Sequence, residues 1–331
     1  MDLTTEYLGL RLPHPFVAGA SPLADSVDRC RRLEEAGVAA IVLRSLFEEQ
    51  IDIDALAHHQ AEVGHADAHG EALSYLPPAD DCVFGPEEYL AHLAAVKKAV
   101  AVPVIASLNG YTEGGWIDYA RRIDAAGADA LELNLYSVAT DAGESAADIE
   151  ERAVAIVQAV RRAVRVPVAV KLSPFYTSLA HVALRLQAAG ASGLVVFNRF
   201  FEADIDVDAL ELRTTMSFSD SAELLLRLRW LSLLSAQLRC SLAVTGGVHT
   251  VRDAVKAVLC GAHAVQLVAA LMRGGLRRVA EFRDGLREWL VDNGYTSLRQ
   301  ARGSMDANRS PDPKALARVN YMRVLQTYRH E

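Results

Sequence analysis

The sequence predicts an α/β fold closed into a (β/α)8, or TIM, barrel, and three observations lead there. A short β-rich run followed by an amphipathic helical segment recurs eight times within 331 residues, and no Pro/Gly/Ser-rich linker splits the series in two. Four helices end in equivalent glycine joints, Glu35-Ala36-Gly37, Ala125-Ala126-Gly127, Ala188-Ala189-Gly190 and Leu259-Cys260-Gly261, where glycine tolerates the left-handed backbone that stops a helix. Hydrophobic residues make up 51% of the chain, enough for a sizeable core. One barrel over residues 1–331 is expected, with 292–331 as a helical tail packed on its wall.

Taken in order, strand 15–20 precedes helix 25–36, and strand 39–44 precedes a long segment, 47–100, whose clearest helix is 86–100. Strands 103–108, 130–136 and 167–172 are followed by helices 116–126, 145–164 and 177–189. Strand 193–198 leads to helix 219–238, strand 241–246 to helix 250–260, and strand 262–268 to helix 276–291. Pro103 and Pro167 open strands, a position where the missing N–H is tolerated. A final helix is expected at 312–328.

Composition narrows the function. Net charge is −8 and the basic residues are dispersed, which argues against a nucleic-acid surface. No run approaches membrane-spanning length, and the first residues lack a basic, apolar leader. A cytoplasmic protein acting on a small molecule is expected. Cys30, Cys82, Cys240 and Cys260 are far apart, without CxxC pairs, so reduced, mostly buried thiols are expected rather than zinc or iron–sulfur ligands.

Chemistry concentrates at the strand ends, where barrel active sites form. In Ala130-Leu131-Glu132-Leu133-Asn134-Leu135-Tyr136-Ser137, the leucines fall on one face and Glu132, Asn134 and Tyr136 on the other. That polar face is either the wet side of an edge strand or one wall of a cofactor site. Asn109 ends the third strand and Asn198 the sixth. Lys171 lies inside the apolar run Val168-Ala169-Val170-Lys171-Leu172, and an ammonium there must meet an anion or an electron-rich ligand. An ion pair with Glu132 and a functional site both satisfy that demand.

Thr245-Gly246-Gly247-Val248 follows the seventh strand and Ala269-Ala270 the eighth. Paired glycines admit close backbone approach, and N–H groups opening a short helix there suit a phosphate. His58, His59, His65 and His69 crowd the long second connection, yet their spacing fits no standard ligand set, so a lid-like or solvated segment is expected. His249 reads as a surface residue.

These residues, in their order and spacing, resemble the flavin-dependent dihydroorotate dehydrogenases, class 1 especially, and the related pyrimidine-reducing domain of dihydropyrimidine dehydrogenase. The resemblance runs through Tyr7-Leu8-Gly9-Leu10, Pro13-His14-Pro15-Phe16, Ala20-Ser21-Pro22, Glu132-Leu133-Asn134, Val170-Lys171-Leu172-Ser173-Pro174, Phe197-Asn198 and Thr245-Gly246-Gly247-Val248. It implies FMN, with phosphate on the backbone of Gly246, Gly247, Ala269 and Ala270. The flavin ring would lie near Ala20, Ser21 and Asn109, and Lys171 would stand by the ring edge where reduced flavin carries negative charge.

In that family a dihydroorotate passes a hydride to the flavin and a proton to a base on the loop after strand four. By the same resemblance Ser137 is the candidate base, and Arg44, Asn134 and Asn198 contact substrate. The family's loop reads Asn-Leu-Ser-Cys-Pro-Asn, whereas here it is Asn134-Leu135-Tyr136-Ser137-Val138-Ala139. A second substrate asparagine is replaced by Ala72, and Arg44 stands where a lysine is usual. Three functions remain open on this reading: oxidation of dihydroorotate or a related CH–CH substrate, a Schiff-base aldolase or lyase built on Lys171, and a flavin-binding relative without dihydroorotate turnover. A homodimer is the default expectation, and nicotinamide-linked turnover would need a separate electron-transfer subunit, since this chain has no iron–sulfur cysteine set.

Overall fold

Alternating strands and helices close on themselves in the computed structural model, which describes residues 1–48, 50, 85–110, 116–135, 139–199, 204–213, 217–309, 321–322 and 325–327. The chain opens with an antiparallel hairpin, β1 (Thr5–Tyr7) and β2 (Leu10–Leu12). Barrel strands β3 (Phe16–Ala18), β4 (Ile41–Phe47), β5 (Val104–Asn109), β6 (Ala130–Asn134), β7 (Val168–Leu172) and β8 (Gly193–Val196) follow. A second hairpin, β9 (Asp204–Asp206) and β10 (Glu211–Arg213), precedes β11 (Ser241–Thr245) and β12 (Ala264–Leu267). Eight parallel strands close in the order β11-β12-β3-β4-β5-β6-β7-β8. Closure leaves β6 no wet edge; all five of its residues are buried.

The helices are α1 (Val27–Glu35), α2 (Pro86–Ala99), α3 (Trp116–Ala125), α4 (Ala146–Ala163), α5 (Leu179–Ala188), α6 (Leu224–Ser235), α7 (Val251–Leu259), α8 (Ala269–Gly274), α9 (Arg278–Asp292) and α10 (Leu298–Ala301). Serine or threonine caps set several starts: Ser145 accepts from the Asp148 N–H and Thr250 from the Asp253 N–H, each answered by the aspartate in a capping box. Boundaries fall one to two residues inside those expected at most ends. The helix expected at 219–238 instead opens with a 3₁₀ turn, Ser221–Glu223, capped by Asp220, and ends at Ser235. Of the helix expected at 312–328, residues 321–322 and 325–327 are helical and the rest lie outside the described residues.

Both hairpins and α8 go beyond the eight-unit pattern. The first hairpin turns through Leu8 and Gly9, at φ 56° and 75°, and drives Tyr7, Leu8 and Leu12 into the bottom of the barrel. There they pack with Val17, Val42, Ile105, Ala169, Val195 and Ala243 from the inward faces of the strands. Leu8 explains Gly193: a Cβ at that glycine would stand 2.5 Å from Leu8 Cδ2. The Leu8 N–H also donates to Ser241 Oγ at 3.1 Å, and Thr5 Oγ1 to the His263 carbonyl at 2.9 Å.

His263 carries a pH dependence. Its Nδ1 accepts the Leu242 N–H at 3.1 Å, and burial together with Arg302 pushes its pKa down from 6.5 to about 4. The folded state therefore binds fewer protons than the unfolded state between those values, and stability falls as pH drops through that window. A loss on the order of 3 kcal/mol is expected by pH 4, and His263→Gln should flatten that part of the profile of unfolding temperature against pH. Burial likewise pushes the Cys30, Cys240 and Cys260 thiols up to about 11. All three are free, Cys30 buried and the other two half-buried; Cys82 lies outside the described residues.

Candidate active site at the barrel mouth

Strand alternation decides what faces the barrel axis, and register decides which inward side chains meet. Glu132 pairs with Ser107 on one side and Ala169 on the other, while Asn134 pairs with Asn109 and Lys171. The carboxylate of Glu132 is fully buried. Its Oε1 receives Lys171 Nζ at 3.3 Å, and its Oε2 receives Gln266 Nε2 at 2.5 Å across the barrel. The lysine side chain retains only 9% exposure. The ion pair foreseen as one reading of Lys171 is thus present, and it lies at the strand ends where barrel chemistry takes place.

Gln266 is the member of this group that sequence reasoning missed as a partner. The signal was present: a glutamine in Ala264-Val265-Gln266-Leu267 invites the question asked of Glu132. Below it, burial pushes the Tyr7 phenol well above its ordinary value, with the Glu132 charge adding to the effect.

Polar groups continue to the rim. Asn109, Asn134 and Thr245 are buried at strand ends, and Ser45 Oγ and Ser107 Oγ lie 2.7 Å apart. Asn134 Oδ1, Ser21 Oγ and Gln266 Oε1 are buried without a hydrogen-bond partner among the described residues. Buried polar atoms of this kind ordinarily find partners, so the cluster fits a polar ligand laid over the mouth. Gly19 keeps that floor low, since a Cβ there would come within 2.7 Å of Val268 Cγ2 and 3.2 Å of Gln266 Cβ. Ala20 and Asn198 are half-buried. Asn198 follows β8, where its N–H donates to the Leu172 carbonyl at 2.8 Å.

Arg44 falls at a register shift in β4 between Val42 and Ser45. The shift turns it toward Asp25, which it grips with Nε at 2.9 Å and Nη2 at 2.7 Å. That fork fixes the guanidinium at the rim.

The Gly246-Gly247 turn rests on α6. Both glycines have φ of 78°, and a Cβ at Gly247 would stand 2.5 Å from the Leu224 backbone nitrogen. Buried Arg227 braces the turn from behind, donating from Nε to the Thr245 carbonyl at 2.5 Å and from Nη1 to the Glu223 carbonyl at 2.8 Å. Ser219 Oγ receives the Gly247 N–H at 3.2 Å and lies 3.0 Å from His249 Nε2. His249 is therefore no plain surface residue: it helps fasten the turn, and burial with nearby Arg273 pushes its pKa below the ordinary value. At the neighbouring strand end Val268 opens α8 without a side-chain cap, so the first amides of that helix, Ala269 and Ala270, have no intrahelical acceptor.

Ser137 and its neighbours Tyr136 and Val138 lie outside the described residues, as do Ala72, the four clustered histidines and most of the long second connection. Among the described residues no group of three or more His, Cys, Asp or Glu could hold a metal. Beside the mouth, a largely apolar cavity of about 280 Å³ is lined by Gly110, Leu135, Ala139, Arg152, Ser173 and Tyr176, among others.

A parallel eight-stranded barrel with a buried carboxylate–lysine pair, unpartnered amide oxygens at its mouth and a glycine turn beside its last strands defines a barrel enzyme with a built polar site. Comparison with known sequences carries the assignment further. Residues 83–290 match the family model described as dihydroorotate dehydrogenase, and the chain belongs to that family of oxidoreductases. One relative is the NAD-dependent dihydropyrimidine dehydrogenase subunit PreA of Escherichia coli K12, 25% identical over 94% of this chain and 78% of the relative. Another is the catalytic subunit of dihydroorotate dehydrogenase B (NAD(+)) of Pyrococcus furiosus, 25% identical over 92% of this chain and 98% of the relative.

Proposed function

We propose that the barrel mouth holds FMN and that the protein oxidises dihydroorotate or a closely related CH–CH substrate. The observation that carries this reading is the Glu132–Lys171 pair at the strand ends, with the orphaned Asn134 Oδ1 and Ser21 Oγ above it. The Gly246-Gly247 turn and the amides of Ala269 and Ala270 would hold the phosphate, with Ala20, Ser21 and Asn109 beneath the ring. When bound, FMN supplies a two-electron acceptor. Lys171 provides the fixed positive charge beside it, and Glu132 orients that charge. Asn134, Asn198 and Arg44 orient the substrate, and Ser137 takes its proton.

The relatives named as a subunit and as a catalytic subunit support a separate electron-transfer partner, which we extend to this chain. Among the described residues no helix is long and apolar enough to cross a membrane. The reaction proposed would place the protein in pyrimidine metabolism, with the cytoplasm as its site of action.

Protein loaded with FMN and mixed anaerobically with dihydroorotate or with an uncharged dihydropyrimidine is expected to lose its visible flavin absorbance with one of them. Bleaching by neither would defeat the dehydrogenase reading. Colourless protein that takes up no FMN, yet is trapped on Lys171 by borohydride and a carbonyl compound, would establish the Schiff-base chemistry instead.

A further inference from the structure

The cavity beside the mouth lies between the barrel wall and α4. Gly110, Leu135 and Ser173 line it from the ends of β5, β6 and β7, and Ile149, Ala153 and Ile156 line it from the helix, where their spacing puts them in one stripe. Leu135, Ala153, Ile156 and Ser173 are all buried. The volume is about 280 Å³, whereas protein interiors pack to crystal density with few voids larger than a water molecule. A space of that size suits a ligand group.

The cavity continues the polar site outward. Gly110 directly follows Asn109, and Leu135 directly follows Asn134; the Gly110 N–H donates to the Asn134 carbonyl at 3.4 Å. Ser173, two residues beyond Lys171, continues the strand face that carries the lysine. It therefore borders both spaces. Its Oγ accepts the Phe175 N–H at 3.0 Å, in a turn that leaves Phe175 73% exposed where it lines the cavity.

Two further lining residues decide what the cavity accepts. Arg152 is paired with Glu144, so the charge it brings is already balanced. Ala139 is exposed and lines the same cavity. It stands where the loop of the dihydroorotate dehydrogenases ends in asparagine, so a methyl group replaces a hydrogen-bonding amide there.

We propose that the substrate is a ring bearing an uncharged apolar substituent of benzyl size, which enters this cavity while the ring itself lies over the mouth. This substrate class rests on the flavin reading above and narrows it. An apolar cavity of roughly 150 Å³ accommodates benzene, and the additional room takes a linking carbon. Dihydroorotate and dihydrouracil carry no such group and leave the cavity unfilled.

The test is binding to the FMN-loaded protein, read by calorimetry with uracil, orotate, their 5-benzyl derivatives and 6-benzyluracil. The tightest benzyl compound should bind about thirtyfold more tightly than its parent, as expected for burying a phenyl group, and its 5,6-dihydro form should bleach the flavin. Ala153→Phe fills the cavity from α4 and should erase that difference. Ala139→Leu, at an exposed position, should reduce it even if Ala153→Phe does not fold. Benzyl compounds that bind no better than their parents, a difference that survives both substitutions, or a tight benzyl ligand whose dihydro form leaves the flavin oxidised where the parent reduces it would each overturn the proposal and leave the flavin reading standing. Protein that takes up no FMN would defeat both.

Discussion

Lys171→Met is expected to cost both turnover and stability, and a second substitution separates the two. Without its partner, Glu132 keeps only Gln266 inside a closed barrel, and breaking a buried pair from one side costs about 3–5 kcal/mol. Adding Glu132→Gln removes the stranded charge, so the double variant should regain most of that loss in urea unfolding. Flavin reduction by substrate should not recover. Removing a fixed charge from a site of developing charge costs about 10²–10³-fold, in the double variant as in the single one. A double variant with restored turnover would mean that Lys171 serves the fold alone.

Gly247→Ala is expected to weaken FMN binding more than any other glycine-to-alanine change at the mouth. Its φ of 78° disfavours any side chain, and the new methyl group would meet the Leu224 backbone nitrogen at 2.5 Å. The left-handed conformation alone costs about 1–2 kcal/mol, and the collision must push the turn off α6. A hundredfold loss of FMN affinity is the expected order, some 2.7 kcal/mol in all. Gly275→Ala is the control: its φ is 77°, but nothing lies within 4 Å of its Cβ position. It should lose backbone energy without losing flavin, as fluorescence titration would reveal.

Local pattern made the barrel legible. The eight strands and their helices came from alternation, helix-ending glycines and strand-opening prolines, all properties of short windows. Glu132, Asn134 and Lys171 stood out because each breaks an apolar run, and the structure brings them together through register. What local pattern could not carry was contact across the barrel. Gln266 meets Glu132 from a strand 134 residues away, and Ser219 meets Gly247 from the preceding connection. The pairing of Arg44 with Asp25 was not legible either, because the register shift beside it has no signature in Ile41-Val42-Leu43-Arg44-Ser45. The two hairpins were passed over for another reason. Three-residue strands are too short for a period of two to declare itself.

The hairpin beneath the barrel has a consequence for synthesis. Leu8 lies more than 180 residues ahead of the groups that receive it, Gly193 of β8 and Ser241 of β11. Long-range closure of this kind is slow to form. Until β12 joins β3, the emerging chain carries three large apolar side chains, Tyr7, Leu8 and Leu12, whose seat is incomplete. A nascent-chain binding factor would find a foothold there, some 250 residues before the barrel can close.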